Sequence, residues 1–153
     1  MREARAIATS CGDRLTADDR AWIEAAAEGA AGEVVNTYVH CDYKLNNLTV
    51  AKDGSRWRES GLFDLHEARF ADGALDVVRT ACSYLDTEPE LARVFRAAYG
   101  KPLDPARMTL YVINDRLKFW DYFSRPEINA EWLRGKTFRQ WAQRYVDGVL
   151  ALL

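Results

Sequence analysis

Four polar residues of different chemistry stand at short, fixed spacing between apolar neighbours: His40, Asp42, Lys44 and Asn47. A further acid, Asp64, follows seventeen residues after Asn47. Amide and carboxylate oxygens are the hard ligands that Mg²⁺ accepts in proteins. A lone His-x-Asp pair carries little information. The complete pattern of His-x-Asp-x-Lys-x-x-Asn and a later Asp indicates a metal-dependent chemical site.

The segment between the two parts of this pattern predicts a β-hairpin. Leu48–Ala51 and Trp57–Phe63 are interpreted as the two arms, and Asp53-Gly54 between them is a favoured turn pair. A hairpin returns the chain close to its starting point. Asn47 and Asp64 are therefore expected at neighbouring strand ends, where their oxygens would share one Mg²⁺ site.

This arrangement resembles the catalytic loop and metal-binding aspartate of the protein-kinase-like phosphotransferases. It is most similar to the aminoglycoside phosphotransferase and choline kinase branch, whose members phosphorylate small molecules. The resemblance implies transfer from ATP, with Mg²⁺, to a hydroxyl group. It implies that Asp42 is the catalytic base and that Lys44 neutralises charge on the transferred phosphoryl group. Asn47 and Asp64 would bind the metal and, with Lys44, the nucleotide.

The resemblance also implies two residues that support the loop. His40 is expected to hold the loop by hydrogen bonds, and Asp76 is expected to hydrogen-bond back to it, with Asp72 as the rival. A helix-terminal acid stabilised by the helix dipole is the alternative reading of Asp76. The family usually has glycine where this chain has Cys41. The added side chain reduces the range of backbone angles that the residue can adopt in a crowded loop.

The fold expected from the sequence is α+β and mostly helical, a kinase-like C-terminal lobe with a short β-hairpin carrying the site. Residues 1–15 lack periodicity and are expected to form an irregular or loosely helical arm, with the lobe over 16–153. Thr16 is a predicted N-cap, and 34–39 a predicted strand. Residues 68–73 are expected to form a connecting loop. Helices should follow, including one capped by Thr137.

Composition limits the other classes of function. The chain has 153 residues, 48% of them hydrophobic, and a net charge of −2 without a basic block, which gives nucleic-acid binding little support. No apolar run reaches the length of a membrane span, and no signal peptide opens the sequence. Three widely spaced cysteines fit a reducing cytoplasm.

The short segment before His40 suggests an alternative function. Relatives place a Gly-rich loop and a nucleotide-gripping lysine in an N-terminal lobe, whereas no lysine precedes Lys44 here. We therefore expect a truncated or partial phosphotransferase whose isolated activity is weakened. The alternatives are a non-catalytic binding module derived from the lobe, and a fragment. The binding module would expose the surface that the other lobe normally covers, so we expect a homodimer or a separate chain that carries the missing lobe. In the case of a fragment, the missing lobe is expected to be encoded just upstream. The acceptor cannot be read from the acids of the later helices, which are Asp115, Asp121, Glu127 and Glu131.

Overall fold

The structure is a computed structural model that describes residues 2–30, 32, 34 and 36–153. Within these residues the chain is α+β and mostly helical. The helices are α1 (Arg2–Cys11), α2 (Ala17–Gly29), α3 (Ala74–Tyr84), α4 (Pro89–Tyr99), α5 (Pro105–Phe123) and α6 (Phe138–Leu150). The strands are β1 (Asn36–Val39), β2 (Leu48–Asp53), β3 (Arg56–Leu62) and β4 (Arg69–Asp72).

The chain divides into two compact units, one of residues 1–33 with 100–153 and one of residues 34–99. The first unit is helical, and α5 packs against α1, α2 and α6. Its core is made of large apolar side chains with almost no exposure, among them Ile23, Leu117 and Phe138. Such side chains are buried where the other helices pack against α5, and their burial is the main source of stability for this unit.

Two capping boxes begin helices of the first unit at the predicted N-caps. The Thr16 hydroxyl accepts the Asp19 N–H, and the Thr137 hydroxyl accepts the Gln140 N–H. Asp19 is fully buried because it serves both helices: its Oδ2 accepts the Thr16 N–H, and its Oδ1 accepts the Arg139 N–H at 2.8 Å. The predicted N-terminal boundaries of α2 and α6 are confirmed.

The second unit contains all four strands, as two antiparallel pairs, and helices α3 and α4. β1 pairs with β4, from Asn36 opposite Asp72 to Val39 opposite Arg69. β2 and β3 form the expected hairpin. Its two loop residues are Gly54-Ser55 rather than Asp53-Gly54, and Gly54 has a φ of +61°, which glycine adopts without steric cost.

Three predictions from the sequence need correction. An irregular or loosely helical arm was expected at the N-terminus, and residues 2–11 instead form the regular helix α1. Ala4, Ala8 and Cys11 recur at helical spacing there and are buried. The segment 68–73 is not a plain connecting loop, since it contains β4. The strand predicted over 34–39 is observed from Asn36, and Val35 lies outside the described residues. The division of the chain at residue 16 stays a prediction.

Among the helices that the structure describes, none is long and apolar enough to cross a membrane.

Candidate active site

The hairpin brings the two parts of the motif together. Leu48 at the start of β2 pairs with Leu62 at the end of β3. One step further out, the Phe63 N–H donates to the Asn47 carbonyl oxygen at 2.9 Å. Asn47 and Asp64 therefore flank the same end of the hairpin, as the turn geometry required. This part of the site is built by local strand pairing.

His40 ties the loop to the residue before Asp64. Its Nε2 lies 2.6 Å from the Phe63 carbonyl oxygen, and the Asp42 N–H points to its Nδ1 at 3.2 Å. A carbonyl can only accept, so Nε2 carries the proton and Nδ1 accepts. The imidazole is buried, with 4% of its surface exposed. It braces two backbone segments and is not placed to act as a base.

Asp76, near the start of α3, accepts two backbone N–H groups from the same loop. Its Oδ2 lies 3.0 Å from the His40 nitrogen, and its Oδ1 lies 2.7 Å from the Cys41 nitrogen. The rival acid, Asp72, instead accepts the Ala74 N–H at 3.0 Å. Cys41 has a φ of +64°, in the left-handed region where glycine is free of strain. The Asp76 carboxylate thus holds the loop in a conformation that is strained at Cys41.

Asp42 is the most heavily engaged residue of the motif. Only 6% of it is exposed. Its Oδ1 accepts Nε and Nη2 of Arg79 at 3.0 and 2.9 Å, and its Oδ2 lies 2.7 Å from Lys44 Nζ and 3.0 Å from Asn47 Nδ2. Burial, the largest single influence, acts to raise the pKa of this carboxyl. Hydrogen bonds from Lys44 and Arg79 outweigh it, so the pKa is lowered and Asp42 stays ionised.

Arg79 was missed by the sequence reasoning. It lies one helical turn after Asp76 on α3, so the two side chains share a helix face that meets the loop. That i, i+3 spacing is the only sequence signal for it. With Arg79 in place, both oxygens of Asp42 already accept two donors each, which fills the roughly four acceptor positions of a carboxylate.

Asp64 differs from Asp42 in exposure and partners. Nearly half of its side chain is exposed, and its φ of +62° is left-handed. Its Oδ1 is hydrogen-bonded to Nδ1 of His66, and this hydrogen bond is the main reason that the pKa of His66 is raised. Asp64 therefore presents a half-exposed carboxylate beside the loop.

Asn47 and Asp64 form a donor set that fits Mg²⁺. The Nδ2 of Asn47 donates to the carbonyl oxygen of Asp42 at 2.8 Å as well as to its carboxylate, so the amide Oδ1 is the atom left for a cation. Magnesium is commonly held by one or two protein oxygens, with water and phosphate oxygens completing its shell. In the part of the chain that the structure describes, no cluster of three or more His, Cys, Asp or Glu residues forms a metal site.

Two of the four later acids that the sequence left open, Asp115 and Asp121, have structural partners in the first unit. Asp121 accepts Arg14 Nη2 at 2.5 Å and Arg125 Nη2 at 3.3 Å, and it joins α1 and the turn after it to α5. Asp115 pairs with Arg116, which is almost fully buried. Both acids therefore serve the packing of the helical unit.

Residues 1–111 match the family model described as the APH phosphotransferase enzyme family. The chain belongs to this family. The protein-kinase-like resemblance read from His40 to Asp64 is thereby confirmed. The match ends within α5. No curated protein and no solved structure gives a significant match to the chain.

Proposed function

We propose that this member of the phosphotransferase family transfers the γ-phosphoryl group of ATP to a hydroxyl of a small molecule in a Mg²⁺-dependent reaction. The observation that carries the proposal is the setting of Asp42. It is a buried, ionised carboxylate between two cations, joined through Asn47 to the hairpin end that presents Asp64. Family membership supports the reaction class, and this geometry supports the assignment of residues.

Asp42 acts here mainly by position. Phosphoryl transfer passes through a loose transition state in which alignment and charge neutralisation contribute most of the catalysis. A carboxylate held by Arg79 through two nitrogens has a fixed orientation, and a lowered pKa keeps it ready to accept a hydrogen bond from the acceptor hydroxyl. Mg²⁺, when bound by Asn47 Oδ1 and Asp64, supplies positive charge for the phosphate oxygens.

Lys44 is the donor that must move. All the acceptor positions of Asp42 are occupied, so an incoming hydroxyl has to replace one donor. Arg79 makes two hydrogen bonds to the Asp42 carboxylate, and Asn47 is buried. Lys44 contacts that carboxylate through its Nζ alone, and about a third of its side chain is exposed. Phosphate oxygens attract the Lys44 ammonium group, which frees Oδ2 for the hydroxyl and stabilises the transferred phosphoryl group.

Transfer of labelled phosphate from ATP to a panel of small alcohols tests this proposal. Asp42→Asn should reduce the rate by at least about a hundredfold, the usual size of a lost catalytic group. Lys44→Met should lower the rate as well, while Lys52→Met, on the exposed hairpin, should not. Full activity in Asp42→Asn would show that Asp42 does not position the hydroxyl.

One observation favours the alternative, a binding module. On the β1–β4 pair, Tyr38 and Phe70 form an edge-to-face contact at 5.7 Å, yet they are 55% and 76% exposed. Exposed aromatic side chains of this size are frequent in protein interfaces. A homodimer or a separate lobe-bearing chain would cover them. Sedimentation of the wild type and of Phe70→Ser distinguishes a self-associating chain from a monomer.

A further inference from the structure

Beside the candidate active site, the second unit contains a groove of about 240 Å³ between the start of the hairpin and the helices α3 and α4. Its walls are largely apolar. The side chains that matter here are Leu45, Leu48, Tyr84, Val94, Phe95 and Ala98. The apolar residues of α4 recur at helical spacing, yet α4 buries only Ala92 among its described residues, and Val94 is 63% exposed. The stripe instead forms one wall of this groove.

Most polar atoms of the groove are already used. The Leu45 N–H donates to the Tyr84 hydroxyl at 2.7 Å, and the Thr80 hydroxyl donates to the Tyr43 carbonyl oxygen at 2.7 Å. Glu59 is the exception. Its Oε1 accepts the Tyr43 hydroxyl at 2.5 Å, while its Oε2 has no hydrogen-bond partner among the residues that the structure describes. Glu59 is exposed, so it offers a carboxylate oxygen at the rim.

The groove opens next to the chemistry of the candidate site. Lys44 lines it, and the Nζ of Lys44 lies 2.7 Å from Asp42 Oδ2. A molecule held against the apolar wall therefore lies next to the lysine whose departure exposes Asp42. Asp42 itself does not line the groove, so Lys44 is the residue that connects the groove to the candidate site.

We propose that this groove binds the acceptor, and that the acceptor is a small ring-bearing alcohol with a largely apolar body and one N–H donor that meets Glu59. This inference rests on the proposed function. A buried apolar cavity of about 150 Å³ accommodates benzene. By proportion, 240 Å³ suits roughly ten non-hydrogen atoms, a body of one or two rings. The apolar walls favour such a ring over a polyhydroxylated sugar, whose hydroxyl groups would lose hydration there without gaining partners.

Binding is measured first without nucleotide, by calorimetry or ligand-detected NMR. The probes are 2-amino-1-phenylethanol, 2-phenylethanol and glucosamine. Ala98→Phe fills the groove, and Ala97→Phe is the matched control, because both positions are exposed on α4 and only Ala98 lines the groove. We expect the aminoalcohol to bind most tightly, glucosamine least, and Ala98→Phe to weaken binding about tenfold or more while Ala97→Phe does not.

Glu59→Gln separates the contribution of the Glu59 charge to probe binding from the contribution of the apolar walls. It should weaken binding of the aminoalcohol several-fold and leave 2-phenylethanol nearly unchanged, because only the former presents an N–H donor to the carboxylate. The proposal is overturned if no ring probe binds at millimolar concentration, if glucosamine binds as well as the ring probes, or if Ala97→Phe and Ala98→Phe behave alike. A groove that takes only an apolar protein segment would give the first of these results.

Phosphate transfer to the same probes then separates the two proposals. If the ring probes bind in the groove but neither they nor any alcohol of the panel is phosphorylated with ATP and Mg²⁺, the groove is a ligand site and the proposed function fails. If glucosamine is phosphorylated at a rate that Ala98→Phe does not change, the proposed function stands and the groove is not the acceptor site. Phosphorylation of the aminoalcohol that is lost in Ala98→Phe supports both.

Discussion

The carboxylate of Asp76 is expected to fix the loop that carries Asp42. It accepts the N–H groups of two consecutive residues, at 3.0 Å from His40 and 2.7 Å from Cys41. Asp76→Asn keeps one acceptor oxygen and turns an NH₂ group toward the second N–H. A hydrogen bond to a charged group contributes about 1.5–3 kcal/mol, so the loss of one such bond should destabilise the loop by about 2 kcal/mol.

Amide hydrogen exchange gives the local measurement. A loss of about 2 kcal/mol lowers the protection of the two loop amides by roughly thirtyfold. Asp72→Asn is the matched control, because Asp72 accepts the Ala74 N–H and not the loop amides. It should leave exchange at His40 and Cys41 unchanged. Unaltered protection of these amides in Asp76→Asn, or an equal effect of Asp72→Asn, would refute the reasoning.

Three further substitutions test separate parts of the account. Cys41→Gly relieves a left-handed backbone and should raise the free energy of unfolding by up to about 1 kcal/mol, after the entropy of glycine in the unfolded chain is subtracted. Gly61→Ala would place a Cβ 2.7 Å from Thr49 Oγ1 and should destabilise the hairpin by about 1–3 kcal/mol. In Asp121→Asn, the free energy of unfolding should fall less steeply with decreasing pH than in the wild type. Burial acts to raise the pKa of Asp121, but hydrogen bonds from arginines, Arg14 first, outweigh it and lower the pKa. The stabilisation is present above the unfolded pKa of about 3.9 and is lost as pH falls through the lower folded value.

For each of these three substitutions, one experimental result would contradict the prediction. Urea unfolding in which Cys41→Gly is less stable than the wild type would mean that the cysteine side chain contributes more than the strain costs. A Gly61→Ala hairpin of wild-type stability would show that Thr49 moves aside freely. If wild type and Asp121→Asn lose thermal stability in parallel between about pH 5 and pH 2, the Asp121 pairs do not carry the acid dependence.

The elements that the sequence predicted well depend on neighbours along the chain. The hairpin follows from a turn pair that contains glycine between two short segments, and the capping boxes at Thr16 and Thr137 place acceptors three residues from their donors. The chemical motif was readable for the same reason, because Asp42 to Asn47 is a local pattern and the hairpin brings Asp64 back to it.

The features that sequence reasoning missed depend on distant partners. Strand β4 has four residues, and it is a strand because β1, some thirty residues earlier, pairs with it. Arg79 gains its role only when α3 is placed beside the loop. The apolar stripe on α4 has the spacing of a core helix, yet Val94 faces a groove, since periodicity shows that a face is apolar and not what covers it.

Mg²⁺-dependent binding of ATP to the 153-residue chain, measured by calorimetry, tests the central claim most directly. The account predicts binding that requires Mg²⁺, that is lost in Asp64→Ala, and that persists in Asp53→Ala, an exposed acid at the other end of the hairpin. Equal binding by wild type and Asp64→Ala, or no binding at millimolar ATP, would contradict the claim that Asn47 and Asp64 form a working metal–nucleotide site.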